Sequence, residues 1–238
     1  MAQMIDNEFD YISRNLREIK DKIRTAALRY GRDPHDITLL AAVKYASIDE
    51  LLYLQNTGGV DVLGENRVQQ LVERYDIIEK EKVRVHFIGT LQTNKVKYIV
   101  DKVDLIHSLD SEKLAAEIDK QCKKIGKTMS VLCEINCGRE AEKSGVMPED
   151  AADFCLSLAK YSNIKLAGFM TMAPKCDNFD EYRKYFSETR RLVLDIWHKK
   201  LDNIYSPILS MGMSGSFEAA IAEGSTLVRV GRALFVKD

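Results

Sequence analysis

The apolar positions of the chain change their period near residue 37. Before that point Ile5, Phe9, Ile12, Leu16, Ile19, Ile23, Ala26 or Ala27, and Tyr30 recur at intervals of three and four. That spacing lays them along one face of a helix, predicted over about 5–30. Gly31 stops the helix and Asp33-Pro34 begins a turn. A stripe of this length needs a surface to cover it, and packing against the rest of its own domain is the expectation.

From Ile37 onward the pattern becomes a series of short, continuous apolar runs. They occupy 37–44, 60–64, 83–89, 103–108, 129–136, 164–172, 207–213 and 226–231. Between them lie the stretches SIDELLYLQ, ENRVQQLVERYDIIEK, TNKVKYIV, SEKLAAEIDKQCKKI, PEDAADFCLSLAK, FDEYRKYFSETRRLVLDIWHKK and SGSFEAAIAEG, which read as helices. Strands buried on both faces lose the apolar/polar alternation, as in an all-parallel sheet. Eight such runs separated by helices predict an α/β fold, a single (β/α)8 TIM barrel over about 37–236 with an extra N-terminal helix. A length of 238 residues allows two small domains or one barrel. The unbroken alternation, without linker or low-complexity tract, favours one domain over 1–238.

Composition narrows the class of function. With 35 Lys+Arg against 36 Asp+Glu the formal net charge is -1, which removes the bulk electrostatic case for nucleic acid. No run approaches the length of a membrane-spanning helix. The acid-bearing start MAQMIDNEFDYISRNL does not read as a secretory signal. Cys122, Cys133, Cys137, Cys155 and Cys176 are odd in number and irregular in spacing, without a CxxC pair or a His cluster. They are expected to be reduced thiols packed as small hydrophobes in a cytoplasmic protein, with no zinc site.

In a barrel of this kind chemistry gathers at the C-terminal ends of the strands, so those ends can be read as a list of candidates. They are Lys44; Gly64-Glu65-Asn66-Arg67; Gly89-Thr90-Leu91-Gln92, preceded by His86; His107-Ser108; Glu134-Ile135-Asn136; Met170-Thr171-Met172; Met211-Gly212-Met213-Ser214; and Arg229-Val230-Gly231-Arg232. Lys44 follows a wholly apolar run, so its amine emerges at the mouth beside low-dielectric walls. Desolvation and nearby cations free an amine for attack on a carbonyl, although a snorkelling lysine at a strand end fits the position as well. His86 and His107, on or near apolar strands, read as satisfied core residues. Ser214-Gly215-Ser216 leads into a helix and Gly231 ends the eighth run, the recurrent phosphate-binding arrangement of this fold. A Schiff-base lysine and a phosphate site at one mouth suggest a phosphorylated aldehyde or ketone. Pyridoxal phosphate (PLP) and an aldolase phosphosugar both satisfy that description, and position does not separate them.

Longer motifs carry a resemblance. HFIGTLQTNKVKYIV (86–100), AAVKY around Lys44, GENRVQ (64–69), EKSG (142–145), GFMTM (168–172), LSMGMS (209–214) and VRVGRALF (228–235) resemble, in the same order, blocks of the YggS/PROSC family of PLP homeostasis proteins. The resemblance covers the chain from about residue 38 onward. It implies a PLP-binding protein in which Lys44 carries PLP as an internal aldimine. It also implies that Ser214, Gly231 and Arg232 lie around the phosphate, Asn66 and Met211 near the ring, and Arg229 near the pyridine nitrogen. A cationic partner keeps that nitrogen unprotonated and the electron sink shallow. This suits holding the cofactor, or limited proton chemistry, better than transamination, and the leading expectation is a carrier that buffers PLP and passes it to apo PLP-dependent enzymes. The chain departs from the family's usual pattern at Val85, at Ser216, over 138–142 and in its FVKD tail.

The alternative is a PLP-dependent amino-acid racemase of the barrel type, which appends a β-rich C-terminal domain. Only residues 232–238 follow Gly231, so that domain is not expected, and a monomer is favoured. A Schiff-base aldolase ranks last. Lys143 is a candidate amine for receiving or releasing the aldehyde, although an ordinary solvated loop lysine fits its position too.

Overall fold

The structure is a computed structural model that describes residues 8–201 and 206–237. Eight parallel strands close on themselves in chain order. They are β1 (Thr38–Ala42), β2 (Val62–Glu65), β3 (Arg84–Phe87), β4 (Leu105–Leu109), β5 (Met129–Ile135), β6 (Ile164–Thr171), β7 (Ile208–Ser210) and β8 (Leu227–Val230). Each coincides with one of the apolar runs, with β2 and β4 extending one residue past theirs, to Glu65 and Leu109. Closure is made by β1, whose Leu40 sits opposite Val62 of β2 and Arg229 of β8.

The N-terminal helix α1 (Asp10–Arg29) buries Ile12, Leu16, Ile19, Ile23, Ala26 and Ala27, the stripe expected of it. Each buried Leu or Ile contributes roughly 2 kcal/mol relative to exposure. Ile5 lies outside the described residues, and Tyr30 is only half-buried at the helix end. Gly31 takes the left-handed conformation (φ 67°) that ends the helix. Asn15 donates to the carbonyls of Leu234 and Val236 at 3.2 and 2.9 Å, and Arg32 donates to those of Ile221 and Ser225 at 3.1 and 2.6 Å. The stripe therefore packs on the chain's own domain, next to its C-terminal turn.

Among the described residues six further α-helices follow the strands: α2 (Ile48–Asn56), α3 (Val68–Arg74), α4 (Glu112–Lys124), α5 (Ala151–Ser157), α6 (Phe179–Leu194) and α7 (Phe217–Ala222). The segment TNKVKYIV is not an α-helix. It forms 3-10 turns over Thr93–Tyr98, with Val96 and Ile99 buried three residues apart, the spacing of that tighter helix.

Two layers of apolar packing result. The large core lies between barrel and helices and takes the outward-facing strand residues, among them Leu39, Ala41, Leu63, Val131, Phe169 and Leu209. Inside the barrel are two small clusters, Leu40, Ala42, Val62 and Leu227, and Leu105, Leu132 and Met170. They do not fill the interior. The remaining space holds polar side chains that are also buried: His86, His107, Glu134, Ser210 and Arg229.

Candidate functional site

At the C-terminal mouth of the barrel lies a cavity of about 640 Å³, within the range of cofactor sites. Its wall includes Lys44, Asn66, Ser214, Arg229, Gly231 and Arg232, six of the seven residues expected there. They come from the ends of β1, β2, β7 and β8, and the barrel's closure makes β1 and β8 neighbours.

Lys44 lies two residues past the end of β1, in a turn, and is exposed at the mouth with its Nζ 5.0 Å from the centre of the Tyr45 ring. The desolvation expected of it does not occur, because the strand ends before the lysine and the turn carries it outward. The backbone of this turn is nevertheless held tightly. Arg74 of α3 donates to the Val43 and Ala46 carbonyls at 3.0 and 2.6 Å, and Gln70 donates to the Lys44 carbonyl at 3.1 Å. On the far side Ser47 caps α2: Glu50 N–H donates to its hydroxyl at 3.2 Å, and its own N–H donates to the Glu50 carboxylate at 2.6 Å. Tyr11 of α1 also donates to that carboxylate.

Glu65, at the end of β2, pairs with Arg74 at 3.4 Å and is fully buried. Burial outweighs the ion pair and pushes its carboxyl up to about 7. It faces α3 rather than the cavity, as strand alternation demands with Asn66 turned the other way. The Asn66 side-chain oxygen is buried with no hydrogen-bond partner. The backbone of Asn66 is fixed by Gly89, where a Cβ would stand 2.1 Å from the Asn66 carbonyl oxygen.

Arg229 is buried in the floor. Its Nη1 donates to the Ser210 carbonyl at 2.7 Å and to Ser210 Oγ at 2.6 Å, and its Nη2 donates to the Thr171 carbonyl at 3.0 Å. A guanidinium has five N–H donors, so two are left beyond these three bonds, on a side chain that lines the cavity. Burial lowers its pKa to about 10, with Glu134 opposing the shift, and it stays charged at neutral pH.

Met211, expected near the ring, does not line the cavity. It is fully buried in the outer core, since neighbours along a strand point to opposite faces and Ser210 has taken the inward position. Met213, two residues on, is in the cavity wall instead. Ser216 accepts from the Met213 N–H at 3.1 Å and so is committed within its loop. Among the described residues the N–H groups of Ser214 and Gly215 have no backbone partner, and a Cβ at Gly215 would meet no atom within 4 Å. That loop can receive an anion.

Glu134, one of the strand ends, joins the site although the resemblance gives it no role there. It lines the cavity, buried, and accepts from Ser144 Oγ at 3.1 Å. Burial pushes its carboxyl up to about 7, Asp110 adds to the rise and Arg229 opposes it. The signal was present in sequence as an acid interrupting an apolar run. Lys143 lies outside the cavity wall, exposed and paired with Glu140 at 2.5 Å. Among the described residues no group of three His, Cys, Asp or Glu side chains is placed to hold a metal, and no helix is long and apolar enough to cross a membrane.

A parallel eight-stranded barrel with a lysine after β1, an arginine in β8 and an anion-receptive loop after β7 defines a class, the alanine-racemase-like barrels. The family described as alanine racemase, N-terminal domain, matches residues 10–238. The pyridoxal phosphate homeostasis protein of Aquifex aeolicus is 40% identical over 220 residues, covering 92% of this chain and 95% of that protein. An unknown protein from Bifidobacterium adolescentis has a similar structure, with a TM-score of 0.88 at 32% identity, covering 97% of this chain and 96% of that one. PipY of Synechococcus elongatus, solved with PLP bound, gives a TM-score of 0.77 at 27% identity, covering 90% of this chain and 99% of that one. The chain belongs to the alanine racemase N-terminal domain family, and within it to the group of pyridoxal phosphate homeostasis proteins.

Proposed function

We propose that this protein binds PLP at the barrel mouth and carries or buffers it for the cell, contributing to PLP (vitamin B6) and amino-acid homeostasis. The observation that carries the reading is one cavity bringing an exposed lysine amine, a buried arginine and an anion-receptive loop together. The names and the PLP-bound state of the relatives support it.

Lys44 is the amine that would hold the aldehyde carbon as a Schiff base. Ser214, with the free N–H groups of its loop, Gly231 and Arg232 would hold the phosphate, and Asn66 would offer its unpartnered amide to the ring. The two unused N–H donors of Arg229 would face the ring nitrogen. When bound, PLP supplies an electron sink, and a charged donor at that nitrogen keeps the sink shallow. Such a site holds a reactive aldehyde without driving its chemistry far. Free thiols at all five cysteines, three of them buried, fit a reducing cytoplasmic setting. A monomer handing PLP to apo-enzymes completes the reading.

The test is the absorption spectrum of the protein reconstituted with PLP, followed by borohydride reduction and mass mapping of the labelled lysine. A visible band lost in Lys44→Ala, with label on Lys44, is expected. No band after reconstitution, or label on another lysine, would sink the assignment. Amino-acid turnover to the D-isomer above about 1 s⁻¹ would make the protein a racemase instead.

A further inference from the structure

The reading of the mouth leaves one buried cluster unused, directly beneath it. His86 Nδ1 lies 3.0 Å from His107 Nε2, and His107 Nδ1 lies 3.0 Å from Ser210 Oγ, which also accepts from Arg229 Nη1 at 2.6 Å. All four side chains are buried. The upper end, Arg229, lines the 640 Å³ cavity, and the lower end, His86, lines a smaller pocket of about 250 Å³ beside Asp36, Thr38 and Arg84. The chain of contacts runs through the barrel from one mouth to the other.

Its direction follows from donor and acceptor inventory. Arginine has donors only, so Ser210 Oγ accepts from it. The serine's own proton then has one acceptor within the cluster, His107 Nδ1. His107 must carry its proton on Nε2 and donate it to His86 Nδ1, which leaves the His86 proton on Nε2. The reverse direction strands the serine proton in a buried site, at a cost of about 1–3 kcal/mol. Neither imidazole is charged. Burial, with Arg84 adding, holds His86 down near 3, and burial with His86 and Arg229 nearby holds His107 well below its ordinary value.

We propose that His107 and Ser210 are positioning residues for Arg229. The one-way chain fixes the serine hydroxyl as an acceptor toward Arg229, and this with the two carbonyls locks the guanidinium plane. The serine proton is committed to His107, so Ser210 meets Arg229 only as an acceptor and the guanidinium keeps its two remaining N–H donors for the cavity. It selects a ligand ring that brings an acceptor there, an unprotonated pyridine nitrogen. This role rests on the PLP reading of the cavity, whereas the hydrogen-bond chain does not.

The experiment has two arms. In the unliganded protein, ¹⁵N NMR of the histidines should show His107 as a single neutral tautomer protonated on Nε2, unchanged between about pH 5 and 9. Ser210→Ala should abolish that single-tautomer signature. A His107 protonated on Nδ1, or one that titrates in this range, would overturn the chain. In the PLP titration, Ser210→Ala and His107→Leu should bind about tenfold more weakly than wild type and move the pH midpoint of the visible band. His107→Gln, which keeps an acceptor for the serine proton, should recover affinity to within about threefold. A folded Ser210→Ala with unchanged affinity and band would overturn the positioning role while leaving PLP binding intact. Absence of any band in wild type would sink the PLP reading and the positioning role with it, while the NMR arm still decides the chain.

Discussion

Glu134 on β5 and Arg229 on β8 line one cavity, and each favours the other's charged form. Burial works against both, lifting Glu134 to about 7 and lowering Arg229 to about 10. At neutral pH the arginine is fully charged while the carboxyl is divided between its two states.

That division makes stability depend on pH in a definite direction. The Glu134 carboxyl has its folded pKa raised from 4.5 to about 7, so its contribution is complete below 4.5 and is lost as pH rises through 7. Glu134→Gln keeps an acceptor for Ser144 and removes the titration. The variant should gain on wild type by on the order of 3 kcal/mol as pH rises across this window. Urea midpoints measured at a series of pH values would check it, and a difference that stays flat would show that Glu134 is not held neutral.

The same pair offers a second measurement. Arg229→Gln removes a buried cation that favours the Glu134 carboxylate. Its pKa should move above 7, followed by the ¹³C shift of the side-chain carboxyl. An unchanged titration would mean that the two side chains do not act on each other.

Arg74 ties the Lys44 turn to α3 and pairs with the buried Glu65. Arg74→Met should cost about 3 kcal/mol, as breaking one side of a buried pair does. It should also speed amide exchange over 43–47 more than elsewhere. Adding Glu65→Gln should recover part of the loss, since no carboxylate is then left unpaired. Equal exchange rates in wild type and variant would show that the clamp does not hold the turn.

Two glycines at the mouth should behave differently. In Gly89→Ala the new Cβ meets the Asn66 carbonyl oxygen at 2.1 Å, so the backbone must move. A loss of about 1–3 kcal/mol is expected, together with weaker PLP binding. In Gly215→Ala nothing lies within 4 Å, so stability should hold and only PLP binding should fall if the phosphate occupies that space. Thermal melts beside PLP titrations separate the two. A destabilised Gly215→Ala, or one that binds PLP as wild type does, would contradict the loop's assignment.

By itself the sequence determined the eight strands and the place of Lys44 after the first. Strands covered on both faces must be apolar along their length, and that signal is local. It also marked Asn66, Ser214, Arg229, Gly231 and Arg232, because strand ends follow from strand positions and this fold gathers its strand ends at one mouth. Tertiary structure alone decided which way each side chain points. A one-residue difference in facing sent Met211 to the outer core, left Ser210 inside, and turned Glu65 toward α3. It decided, too, that the Lys44 side chain is exposed, that TNKVKYIV winds as 3-10 turns, and that Glu134 shares a cavity with Arg229. Burial and hydrogen-bond direction depend on neighbours from distant strands, and 103 residues separate His107 from Ser210 along the chain. No local pattern records such a contact.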